Sequence, residues 1–262
     1  MGRFSGRTAI VTGGTSGIGR AIAGLLGEEG ARVWVAGRDA ERGAIVAREV
    51  SARGGEGRFF RVDVASDSEV RELAEAAAAD GSIHFWFSNA GVEGPIGPMS
   101  TWSDDALRNV LDTNVKGVLS GLRHAAEHMT QGGVIVNTAS FVGTVLPVPI
   151  AVPYAATKAA VVAAGRSAAP LLADAGIVVY SVCPWVIDTP MGTRLAGDVP
   201  EDRAGFAAGF APSGLLTPVE DVARVAVDLL DGTIAARSGD ALLVDAGPTV
   251  SSLDAAAAPH GA

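Results

Sequence analysis

One cysteine, Cys183, in 262 residues excludes an intrachain disulfide framework and fits a reducing compartment. Lysine is almost missing: of 20 basic residues only Lys116 and Lys158 are lysines. Tyrosine is as scarce, with Tyr154 and Tyr180 alone, and aromatics make up only 5% of the chain. No uncharged apolar run reaches the ~18 residues of a spanning helix. The opening MGRFSGRTAIVTGG runs from a short polar lead straight into a strand-like segment, so no secretory leader is expected. Positive charge is in deficit, with a net charge of −9, which disfavours nucleic acid and anionic membranes as partners. These absences describe a soluble, cytoplasmic protein, and no metal site is read from them.

What is present is apolar bulk. Hydrophobic residues are 48% of the chain and charged residues 19%, enough for a sizeable core. Strand-like runs alternate with helical periodicity. TAIVT (8–12), ARVWVAG (31–37), RFFRVDV (58–64), IHFWFSNAG (83–91), GVIVNTAS (133–140), IVVYSVCP (177–184) and ALLVDAG (241–247) read as strands. Helices are expected between them, including a long one over about 103–129 and others at 68–79, 154–173 and 218–230. Strands that are apolar throughout, separated by helices, predict a parallel sheet covered on both faces with right-handed crossovers. No repeat or linker divides the chain. We expect one doubly wound α/β domain over 1–250 with a seven-stranded parallel sheet. A flexible tail is expected over 251–262.

Between the first strand and the first helix stands TGGTSGIG (12–19), with Gly13, Gly17 and Gly19. Such a turn lets backbone approach a ligand, and the helix N-terminus aims N–H groups and a positive dipole at a pyrophosphate. An ordinary glycine-rich turn is the plainer alternative. At the end of the second strand stand Gly37, Arg38 and Asp39. Gly37 leaves room where a carboxylate would grip the adenosine ribose, and Arg38 offers a fork to a 2′-phosphate. This favours NADP(H). Arg38 simply solvated, with Asp39 capping the next helix, is the other reading; Asp39 turned onto the ribose of NAD(H) is a third.

Tyr154 and Lys158 lie one helical turn apart on one face, so both can point into one cleft. A phenol is a poor acid–base group near neutral pH, and a neighbouring cation would lower its pKa. A solvated lysine beside a core tyrosine is the bland reading of the same pair. Ser140 ends the fifth strand, at the sheet edge where α/β sites collect, although a serine there is often only a cap. Asn114 sits inside a helix, a poor place for asparagine.

Taken in order along residues 6–247, these motifs resemble the classical short-chain dehydrogenases/reductases. TGGTSGIG matches the family's cofactor loop, with Thr15, Ser16 and Ile18 beside the glycines. Asp63-Val64 matches its pair beside the adenine, and SNAG, with Asn89, Ala90 and Gly91, its NNAG motif. Ser140, Tyr154 and Lys158 match its catalytic serine and YxxxK, and Asn114 its mid-helix asparagine. PWVIDT, with Pro184, Ile187 and Thr189, matches its nicotinamide-proximal stretch; Thr189 could equally be an N-cap. The resemblance implies a Rossmann-type fold and hydride transfer between a nicotinamide cofactor and a carbonyl or alcohol. In it Tyr154 is the general acid–base, tuned by Lys158, which also bonds the nicotinamide ribose. Ser140 orients the carbonyl, and the backbone at Asn114 holds a proton-relay water. It also implies a homo-oligomer, a dimer or tetramer, through the helices at 103–129 and 154–173 and the last strand.

Three departures bear on the substrate. Trp185 stands where the family has glycine, the Ser140–Tyr154 spacing is one residue longer than usual, and His84, read as structural, replaces an acid. Trp185, Leu146, Val148 and Met191 are expected to line an apolar substrate cleft. A lid over about 188–216 is expected to add Leu195, Phe206 and Phe210, with solvated Arg194 and Arg203. An apolar or aromatic ketone is the expected substrate, reduced by NADPH. An NAD-dependent secondary-alcohol dehydrogenase and a non-catalytic dinucleotide-binding protein are the alternatives.

Overall fold

The computed structural model describes residues 2–187, 189, 191, 203–246 and 250–253; the side chains of Thr130, Gln131, Arg203, Ala204, Phe206 and Phe210 lie outside this description. Strand β1 (Thr8–Thr12) leads into helix α1 (Gly17–Glu28), then β2 (Arg32–Gly37), α2 (Ala40–Ala52), β3 (Glu56–Arg61), α3 (Asp67–Ala79) and β4 (Ile83–Ser88). There follow α4 (Asp104–Leu111), a π-helical turn (Asp112–Lys116), α5 (Gly117–His128), β5 (Met129–Thr138), α6 (Val152–Leu172) and β6 (Val178–Pro184). Helices α7 (Arg203–Phe210) and α8 (Val219–Asp228) precede β7 (Ala241–Val244) and β8 (Val250–Ser252).

The strands form one sheet in the order β3-β2-β1-β4-β5-β6-β7-β8, parallel up to β7. The order reverses between β1 and β4, the switch point at which α/β sheets open a crevice at their carboxyl ends. Along each strand successive side chains enter opposite layers, as the period of two requires. Ile10, Trp34, Trp86 and Ile135 pack with Leu73, Leu122 and Val161 beneath α3, α5 and α6. Val11, Val35, Phe87 and Val136 pack with Ile22, Leu26, Val46 and Val222 beneath α1, α2 and α8.

Three differences from the sequence reading have physical causes. The sheet has eight strands rather than seven: Val250–Ser252 pairs antiparallel with β7, and Leu253 behind it is buried. Three residues are too few to show a periodicity, so the tail's first residues belong to the sheet edge; residues 254–262 lie outside the described residues. The single helix expected over 103–129 is two helices joined by the π turn, where the Gly117 N–H bonds the Asp112 carbonyl five residues back. Finally, β5 ends at Thr138, so Ser140 stands in the loop beyond the strand. His84 is structural as read: its Nδ1 accepts the Thr8 N–H at 3.1 Å where the β1–β4 register shifts.

Candidate active site

A cleft of roughly 870 Å³ runs along the carboxyl ends of the strands, from Arg38, Asp39 and Arg42 at one end to Trp185 and Met191 at the other. Its floor at the switch point is fixed by two side chains. Thr12 Oγ1 donates to the Phe87 carbonyl and accepts the Asn89 N–H, both at 3.0 Å. The Asn89 amide donates to the Thr12 carbonyl at 3.2 Å and accepts from Thr138 Oγ1 at 3.2 Å. One asparagine thus ties the ends of β1, β4 and β5 together.

The glycine loop wraps this knot. Gly13 has φ +64°, and a Cβ on it would lie 2.8 Å from the Ala90 backbone. Gly17, at φ +50°, opens α1, and Thr15, Ser16, Gly17 and Ile18 line the cleft. Ser16 stands at the N-cap without capping the helix through its side chain, so the dipole end faces the cleft. Gly19 lies below the lining: a Cβ there would sit 2.3 Å from the Gly13 carbonyl oxygen. The missing side chain allows close packing of helix on loop.

At the Arg38 end Gly37, Arg38, Asp63 and Val64 line the cleft, and Arg38 is exposed. Asp39 caps α2 by accepting the Arg42 N–H at 2.9 Å, and pairs with Arg42 Nε at 2.6 Å. These bonds hold its carboxyl below the usual range. Arg42 joins the lining, which the sequence reading missed; its position four residues after Arg38 was the available signal.

At the other end Ser140, Tyr154 and Lys158 are buried together, with 7%, 6% and 4% of their surfaces exposed. Ser140 Oγ accepts the Val142 N–H at 3.1 Å. Lys158 Nζ donates to the Thr138 carbonyl at 2.8 Å and lies 5.5 Å from the centre of the Tyr154 ring. The largest influence on the Tyr154 phenol is burial. Burial pushes Tyr154 up to about 12, opposed by the nearby Ser140 side chain and reinforced by Glu93 and Cys183. Burial likewise brings Lys158 down to about 8, and lifts the Cys183 thiol to about 12.

Asn114 does not line the cleft. Its side chain clamps Val92, accepting the N–H and donating to the carbonyl, both at 2.8 Å, and it also donates to Thr157 Oγ1 at 3.1 Å. Thr157 in turn donates to the Tyr154 carbonyl at 2.7 Å. A helix-interior asparagine is thus satisfied by bracing the catalytic helix against the β4 exit.

Of the expected substrate residues, Trp185, Val148 and Met191 line the cleft. Leu146 does not: it packs against the core and pairs with Val142 across the loop. The Trp185 ring stacks on Phe141, centroids 4.8 Å apart and 22° between planes. Phe141, Val142, Val186 and Glu93 complete that end; Phe141 was findable as the residue following Ser140. Pro184, Ile187, Thr189, Ala90 and Gly91 lie between the two ends. Arg194 and Leu195 fall outside the described residues, as do the side chains of Arg203, Phe206 and Phe210.

A family model described as "Enoyl-(Acyl carrier protein) reductase" matches residues 13–249. A cis-4-hydroxycyclohexanecarboxylate dehydrogenase of Sinomonas cyclohexanicum is 38% identical, over 94% of this chain and 98% of that relative. A short-chain dehydrogenase from Burkholderia cenocepacia J2315, solved with NADP, superposes with a TM-score of 0.84 at 31% identity, covering 94% of this chain and 98% of that one. An NAD⁺-bound xylitol dehydrogenase does so with a TM-score of 0.86 at 29% identity, covering 94% and 100%. With the sheet order, the cleft and these likenesses together, the chain belongs to the classical short-chain dehydrogenases/reductases and is an NAD(P)-dependent oxidoreductase.

Proposed function

We propose that the protein interconverts a cyclic secondary alcohol and its ketone with NADP(H), and acts as a reductase near neutral pH. The observation that carries this is the buried Ser140–Tyr154–Lys158 group at the apolar end of the cleft. The ring-bearing substrate of the Sinomonas relative supports the alicyclic class.

The residues present fit a dinucleotide. Gly13 and Gly17 give the close approach, the uncapped start of α1 faces the pyrophosphate, and Asp63 and Val64 flank the adenine. Asn89, Ala90, Gly91, Pro184, Ile187 and Thr189 line the path toward the nicotinamide. Arg38 and Arg42 flank an Asp39 already engaged with Arg42, which favours a 2′-phosphate over a bare ribose. When bound, the nicotinamide supplies or accepts the hydride.

The chain's own residues handle the proton. Ser140 Oγ holds the substrate oxygen beside Tyr154 Oη. A phenol with a pKa near 12 is protonated at neutral pH, so Tyr154 donates its proton to the oxygen in reduction. In oxidation it must accept one, which requires phenolate. Alcohol oxidation therefore rises with pH while ketone reduction falls. The Lys158 ammonium, held by the Thr138 carbonyl, stabilises phenolate as it forms. Asn114 and Thr157 keep α6 in register with the cleft floor.

The test is a fluorescence titration with NADPH and with NADH, followed by assays on cyclohexanone and cyclohexanol. Tight NADPH binding with ketone reduction at pH 7 supports the proposal. Preferred NADH with cyclohexanol oxidation alone would make the protein an NAD-dependent alcohol dehydrogenase instead. Half-exposed Leu111 and Leu119, with the more exposed Leu171, sit on α4, α5 and α6 and support pairing of two copies there.

A further inference from the structure

Among the described residues seven buried polar side-chain atoms have no hydrogen-bond partner, and four of them gather at one place. They are Trp86 Nε1, Ser88 Oγ and both amide atoms of Asn137. Trp86 and Asn137 are fully buried and Ser88 nearly so. None of the three lines the cleft.

The fold brings them together. Trp86 and Ser88 are two apart on β4, so their side chains enter the same layer. Ser88 is paired with Asn137 on β5, and Asn137 with Ser181 on β6. Neighbouring strands lie about 4.8 Å apart, so these positions make a polar row across the sheet. The helices over the row are bare. A Cβ on Gly121 of α5 would stand 2.8 Å from both Ser88 Oγ and Trp86 Nε1. A Cβ on Gly165 of α6 would stand 2.9 Å from Ser181 Oγ and 3.5 Å from Asn137 Nδ2. Each helix thus presents a glycine where a side chain would cover the polar atoms.

A buried polar atom without a partner costs stability, and four at one spot imply a common partner. The chemistry they offer is neutral and mixed. The Trp86 indole only donates, the Asn137 amide donates twice and accepts, and the Ser88 hydroxyl does either. An ion would find no opposite charge among them, and an apolar molecule would leave all four atoms unmet. Water donates two hydrogen bonds and accepts two, which suits this set. We infer that the row is an internal hydration site, where at least one ordered water bridges Trp86, Ser88 and Asn137 beneath α5 and α6. The site is separate from the cofactor and substrate cleft. It ties β4 to β5 one residue before Thr138, whose carbonyl holds Lys158 Nζ at 2.8 Å.

Two measurements test this. A high-resolution crystal structure of the wild-type protein should show solvent density within about 3.2 Å of the Asn137 amide and of Trp86 Nε1 or Ser88 Oγ. Thermal unfolding of Asn137→Leu, a change of similar size, reads the energetic sign. With water bridging the amide, leucine leaves Trp86 and Ser88 unmet, and the midpoint should fall by about 3–8 °C. With an amide that is merely buried and unmet, its removal should raise the midpoint. Density absent from the row, or a midpoint unchanged or raised in Asn137→Leu, would overturn the inference. If the variant does not fold, the wild-type density alone decides.

Discussion

The two ends of the cleft solve opposite problems. At the Arg38 end the charged groups Arg38, Asp39 and Arg42 stand at or near the surface. Water screens those charges, so each is worth little and several act together. At the other end Tyr154, Lys158 and Cys183 are buried. There burial raises Tyr154, lowers Lys158 and raises Cys183. Recognition tolerates solvent; proton transfer is tuned by excluding it.

The largest break in this contrast is Tyr154→Phe. Removing one buried oxygen should lower kcat for ketone reduction by roughly a thousandfold, since general acid catalysis contributes about 10²–10⁴. NADPH affinity should stay within about twofold, because the change leaves the adenosine end intact. Steady-state rates and a fluorescence titration on one preparation check both; surviving turnover would remove Tyr154 from the chemistry.

Next in size is Lys158→Met, read as stability. A pKa near 8 in the folded protein against 10.5 unfolded corresponds to about 3 kcal/mol of disfavoured charge burial. Losing the bond to the Thr138 carbonyl offsets about 1 kcal/mol. The variant should therefore be about 2 kcal/mol more stable at pH 7, though inactive. Below pH 8 the lysine is charged in both states and the cost is fully present. Between 8 and 10.5 only the unfolded chain keeps the proton, so wild-type stability gains from this group and the advantage of the variant shrinks. Urea unfolding at pH 7 and pH 10 tests this; equal midpoints at pH 7 would contradict it. Tyr154 and Cys183 act in the opposite sense, since their folded pKa values are raised and their contributions fall as pH climbs above the unfolded values.

The smallest effect belongs to the open end. Arg38→Leu should reduce the preference for NADPH over NADH about tenfold, consistent with loss of one screened charge-assisted contact. Its kcat with saturating NADPH should barely change. A preference unaffected by the substitution would shift 2′-phosphate recognition to Arg42 or elsewhere.

Much of this was legible in the chain because it is local. The glycine loop is read from spacing, since strand, turn and helix adjoin in sequence. Tyr154 and Lys158 are paired by the helical repeat. SNAG announces itself by standing at a strand end. What escaped depends on distant partners. Leu146 looks like a cleft residue by composition, yet it faces the core because its loop folds back on Val142. Asn114 reads as misplaced until Val92 and Thr157 are seen around its amide. Glu93 carries no motif, and only the meeting of the β4 exit with Phe141, Val148 and Trp185 brings it into the cleft wall.

By itself the sequence determined the alternation of strands and helices, the glycine loop between β1 and α1 and the pairing of Tyr154 with Lys158 on one helix face, because periodicity, glycine spacing and i,i+4 geometry act within a few residues. Tertiary structure alone decided which of those groups are dry. A pKa of about 12 on Tyr154 and about 8 on Lys158 arises from desolvation by β4, β5, β6 and α6 packed together, a property of no single segment.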